Sequence, residues 1–168
     1  MHSPALDDLR RQLRAIDQDL LRALAARAGF PRHPFPAWPA SETRLPPPPL
    51  AEILLALSPA GTADPAPDAE NRGLIDALLA RQRLAAEIAD AKAAALPGDF
   101  RAALDSGDRD RLLDLLTDLP AELRLLDTLQ KTAAALAPHL PPSLAALLWR
   151  EHLIPWTRQS ELAHLLEL

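Results

Sequence analysis

The chain has no cysteine, no tyrosine and one methionine, and aromatic residues make up only 4% of its 168 positions. Without cysteine there is no disulfide, no thiolate metal site and no cysteine nucleophile. That fits a reducing compartment, and a cytoplasmic location is expected. Scarce aromatic and β-branched residues leave leucine, alanine and isoleucine to build the core, a composition that favours helices over strands. Glycine is also rare, with 5 unclustered positions, so a glycine-rich phosphate loop is excluded. No apolar run approaches the ~20 residues that cross a bilayer, and "MHSPALDDLRRQLR" lacks the apolar stretch of a signal peptide. No membrane partner is expected. The net charge of -5 argues against a broad nucleic-acid surface but leaves room for a local basic pocket that takes a small anion. The 5 histidines have no metal-ligand spacing, and no serine has a plausible histidine–acid arrangement. No metal and no cofactor is expected.

What the chain has in quantity is proline, at 18 positions, and leucine-rich helical pattern. Leu6, Leu9, Leu13, Ile16, Leu20 and Leu24 recur at spacings of three and four, the apolar stripe of one helix. Ser3 and Pro4 suit its start, and Gly29 and Pro31 end it. Pro31, Pro34, Pro36, Pro39 and Pro46 to Pro49 then exclude a helix. Phe35 and Trp38 suggest an extended arm packed on a surface. A short helix is expected over residues 50–57. A second long helix runs from about Asp68 to Ala95, a third from about Pro120 to Ala137, and a fourth from Leu144 to Leu166 with a kink at Pro155. No strand pattern competes. The expected fold is all-α, a helical bundle. It divides into an N-terminal helix (1–30), a proline-rich insertion (31–69) and the rest of the bundle (70–168).

The chain repeats itself weakly. A shift of 54 positions lays Asp17 on Asn71, Leu20 on Leu74, Leu24 on Leu78 and Arg27 on Arg81. Removing residues 28 to 81 leaves one uninterrupted amphipathic helix. The first helix therefore reads as one that an insertion split while duplicating part of it.

That spliced helix resembles the first helix of the all-helical chorismate mutase family. Leu9–Arg10, Ile16–Asp17 and Arg27 match its front half. Arg81 and Lys92 match its back half, eleven residues apart. "DLPAELRLLDTL" (118–129) is similar to the start of the family's middle helix, with Asp118 and Glu122 at the spacing of two site acids. "LPPSLAALLWREHLI" (140–154) is similar to the start of its last helix. The resemblance implies an isomerase that rearranges chorismate to prephenate within one molecule, with no cofactor, and a homodimer. It implies that Arg10 and either Arg27 or Arg81 bind the carboxylates of a small dianionic substrate. Lys92 would face the ether oxygen, Glu122 the ring hydroxyl, and Asp118 would assist. The chain departs from the family in three places. Ala121 stands where an arginine precedes the middle-helix glutamate. Trp156 and Ser160 stand five and nine residues after Glu151, where site side chains are usual. Gln159, one residue early, is the expected substitute.

The chemistry suits these residue types. A guanidinium grips a carboxylate through two parallel hydrogen bonds. A cation and a second donor aimed at an ether oxygen stabilise the charge that develops as its C–O bond breaks. Duller roles exist for the same residues. Arg10, Arg14, Arg22 and Arg27 can pair with Asp17 and Asp19 along a solvated helix face, Lys92 can complement a helix C-terminus, and Asp118 can cap the helix that follows it. "GDRDR" (107–111) reads as a helix start, with Arg109 and Asp110 as reserve site residues. Two rival functions stand beside the mutase: a non-catalytic binding or regulatory module, and elimination of pyruvate from isochorismate.

Overall fold

The structure is a computed structural model. It describes residues 4–31, 38–39, 45–46, 48, 68–136 and 141–167. The helix expected over 50–57, the Ser3 cap and most of the proline-rich arm lie outside these residues. Helices are the regular structure throughout the described residues. They are α1 (Pro4–Ala28), α2 (Asp68–Ala95), α3 (Pro97–Ser106), α4 (Arg109–Leu116), α5 (Leu119–Leu136), α6 (Pro142–Leu148) and α7 (Ile154–Leu166). A π turn, Trp149–Leu153, joins α6 to α7. No described helix is long and apolar enough to cross a membrane.

The two long helices do not continue one another. α1 folds back antiparallel on α2, its strongest packing partner. The ladder of contacts fixes the direction. Leu6 clusters with Leu84 and Ile88 at one end, Asp17 meets Arg81 in the middle, and Arg27 Nε donates to Asn71 Oδ1 at 2.8 Å at the other. The 54-residue repeat explains the symmetry of this hairpin. Asp17 and Asn71 are equivalent positions, as are Arg27 and Arg81, and each arginine bonds the other helix's Asp or Asn. An approximate two-fold axis thus passes between α1 and α2.

Leucine packing holds the bundle. Leu20, Leu21 and Leu24 of α1 meet Leu74 and Leu78 of α2, Leu129 of α5, Leu148 of α6 and Trp149. Truncating one such leucine to alanine typically costs about 2–5 kcal/mol. A second cluster joins Ala89 of α2 to Phe100, Leu112, Leu116, Leu162 and Leu165. Gly107 ends α3 at φ 67°, the left-handed conformation glycine adopts without strain. Asp108 then caps α4 by accepting from Arg111 N at 2.9 Å, so "GDRDR" is a helix boundary. The arm reaches the core too: Trp38 and Leu45 pack on the first cluster. Trp156 Nε1 donates to Pro46 O at 2.9 Å, and the Trp38 and Trp156 rings meet edge to face at 6.5 Å.

Candidate active site

One cavity of about 460 Å³ opens between α1, α2, α5 and the start of α7, a size suited to a small-molecule ligand. Helical periodicity builds its walls. On α1, Asp7, Arg10, Arg14 and Asp17 share one face at spacings of three and four. On α2, Arg81, Ile88 and Lys92 share one face at spacings of seven and four. The first turn of α5 supplies Asp118 and Glu122, and α7 supplies Thr157, Arg158 and Glu161.

Every interior cation already holds a partner. Arg10 bonds Asp118 and reaches Asp7 at 3.4 Å. Asp118 does two things at once, because its other oxygen accepts from Ala121 N at 3.1 Å and caps α5. Arg81 is buried. It pairs with Asp17 and donates from Nε to Thr157 Oγ1 at 2.9 Å. Thr157 Oγ1 in turn donates to Leu153 O at 2.7 Å, which holds it in place to accept from Arg81. Asp17 Oδ1 also accepts from Trp149 Nε1 at 2.8 Å. Among the described residues, three of the five N–H groups of Arg81 have no partner. Burial pushes its pKa down to about 10, with Glu161 partly opposing that shift. It stays charged at neutral pH. Lys92 donates to Glu161 Oε2 at 2.7 Å and to Leu116 O. Arg158 grips Glu122 with two bonds, Nε to Oε1 at 2.9 Å and a second to Oε2. Burial raises the Glu161 carboxyl above the usual carboxylate range, and the nearby Lys92 and Arg81 only partly oppose this.

The cavity thus gathers Arg10, Arg81, Lys92, Asp118 and Glu122 of the expected site residues. Arg27 and Gln159 lie elsewhere. Arg27 is buried at the far end of the α1–α2 hairpin against Asn71, on the opposite side of the approximate two-fold from Arg81. Gln159 is exposed. Arg109 and Asp110 are exposed at the start of α4 and do not line the cavity. No described cluster of histidine and acidic side chains could hold a metal. His164 faces Asp90 at 2.8 Å.

Over 98% of its length the chain matches the crystal structure of the chloroplast chorismate mutase from Zea mays, covering 95% of that chain with a TM-score of 0.77 and 22% identity. The fold is that of a chorismate mutase. No protein-family model and no curated protein matches the sequence itself. The expected positions five and nine residues after Glu151 assume an α-helix, and this helix is not α throughout. A π turn takes up one residue more than an α turn. Trp149–Leu153 is such a turn, and it stands directly before Pro155, whose missing N–H would break an α-helical ladder. Positions counted from Glu151 therefore fall one residue short. The cavity receives Thr157 and Glu161, not Trp156 and Ser160, and Gln159 turns outward. The signal was available in the sequence as a proline four residues past Glu151.

Proposed function

We propose that the chain is a chorismate mutase whose site is complete within a single chain. The reading is carried by one observation: Arg10, Arg81, Lys92 and Glu122 converge on one small cavity inside a chorismate mutase fold. The reaction is an isomerisation. The ether C–O bond breaks while a new C–C bond forms in the same molecule, so no group is gained or lost. Arg10 and Arg81 bind the two carboxylates and hold the compact reactive conformer, the step that supplies much of the acceleration in reactions of this kind. Lys92 faces the ether oxygen. Glu161, whose protonated form burial favours, is the second donor to that oxygen. Glu122 accepts the ring hydroxyl, with Arg158 fixing its orientation. Asp17 and Thr157 position Arg81.

The homodimer implied by the resemblance is not required by this reading, because α1 of the same chain brings Arg10 to the cavity. The decisive test follows chorismate absorbance with folded protein and with Lys92→Ala. The wild type consumes chorismate and forms prephenate. The variant loses about 10²–10³ in kcat, the usual cost of removing one oxyanion donor. No consumption by the folded wild type overturns the reading. Pyruvate release from isochorismate in its place assigns the pocket to elimination.

A further inference from the structure

Most of the cavity's charges cancel. Arg10, Arg81, Lys92 and Arg158 each already hold a carboxylate of the same cavity. Five acidic side chains line it, and with the proton on Glu161 that the proposed reaction needs, the remaining four match these four cations. A dianion approaching this interior alone meets no net positive charge. Three exposed arginines at the mouth, Arg11, Arg14 and Arg124, tip the balance to an excess of three positive charges. Arg11 is tied to Asp8 on the outer surface of α1. Arg14 and Arg124 have no ion-pair partner among the described residues. Arg14 stands one turn beyond Arg10 on α1, and Arg124 stands two residues beyond Glu122 on α5. Both line the same cavity, one from α1 and the other from α5.

Resting on the reading of the cavity as a dicarboxylate site, we infer that Arg14 and Arg124 form a capture rim that recruits the substrate's carboxylates before they reach the paired cations inside. The chain as a whole is negative, with a net charge of -5, and would repel a free dianion. A local positive mouth focuses the field and raises the encounter rate. Such exposed charges act through solvent and are screened by salt. The interior pairs are desolvated and much less sensitive to it. The rim therefore predicts a salt dependence of capture that belongs to these two residues.

The experiment compares wild type, Arg14→Gln/Arg124→Gln and a charge-matched control, Arg72→Gln/Arg83→Gln, whose arginines are exposed on α2 outside the cavity. The kcat/KM for chorismate is measured from about 0.01 M to 1 M salt, over which the screening length shrinks from ~30 Å to ~3 Å. The rim variant loses roughly tenfold in kcat/KM at low salt, at the lower end of what steering supplies. Its profile is flat, and it converges on the wild type at high salt. The control follows the wild type. Calorimetric titration with a bicyclic dicarboxylate mimic of the transition state gives the same ordering without turnover. Failure of the wild type to consume chorismate removes the proposed reaction, and the titration still decides the rim. Parallel salt profiles for wild type and rim variant, equal losses in the control, or no binding of the mimic by the wild type overturns the inference.

Discussion

Glu161 and Asp17 are both buried acids in contact with cations, and they lead to different predictions. Burial raises the Glu161 carboxyl against the pull of Lys92 and Arg81. A raised carboxyl keeps its proton to higher pH, so the donor is present below its pKa and is lost as pH rises through it. The kcat/KM of the wild type should fall on the alkaline side, and Glu161→Gln, a donor at every pH, should flatten that limb in a pH–rate profile. An unchanged limb removes Glu161 from the proposed mechanism. Asp17 acts on stability as well. Its Oδ1 serves Arg81 and Trp149, while its Oδ2 is buried with no partner among the described residues. Asp17→Asn leaves the Arg81 charge buried without its counter-ion, a change that costs about 3–5 kcal/mol. For a domain of this size each kcal/mol moves Tm by roughly 2–4 °C, so calorimetry should show a loss of at least ~6 °C. Of the acids, Asp118 and Glu122 were legible from their spacing and from the proline between them. Glu161 was not, because its distance from Glu151 passes through a turn whose type the sequence does not state.

That turn is the decisive element. The segment Trp149–Leu153 is π-helical, and Pro155 begins α7 behind it. A residue removed inside a π turn closes it to an α turn and leaves both flanks facing as before. A residue removed from an α-helix rotates everything beyond it by about 100°. Deleting His152 should therefore keep chorismate consumption, whereas deleting Gln159 should abolish it by swinging Glu161 away from Lys92. Loss of activity in both deletions, with folding retained by circular dichroism, would falsify the register argument. The helices themselves were legible. The expected second helix, Asp68 to Ala95, coincides with the observed one, because capping acids, leucine spacing and the following Leu-Pro-Gly agree. The choice between Arg27 and Arg81 was not legible. The repeat makes the two positions equivalent on their helices, and only the tertiary placement of α5 decides which end of the hairpin faces Asp118 and Glu122.

In the whole molecule, α1 and α2 form one antiparallel hairpin with reciprocal bonds, Arg81 to Asp17 and Arg27 to Asn71. The sequence announced that symmetry through its repeat but suggested a single spliced helix, since periodicity describes a face and says nothing about where the chain reverses. Because Arg10 and Lys92 reach one cavity from the same chain, specific activity should stay constant on dilution from micromolar to nanomolar protein. A steep loss would assign part of the site to a second copy. The hairpin has a further consequence. The covalent connection from Ala28 to Asp68 makes the meeting of α1 with the other helices an intramolecular event, governed by an effective concentration that the length of the connection sets. Cutting that connection would turn Arg10 and Arg14 into parts of a separate ligand, and the site would then obey mass action between two peptides.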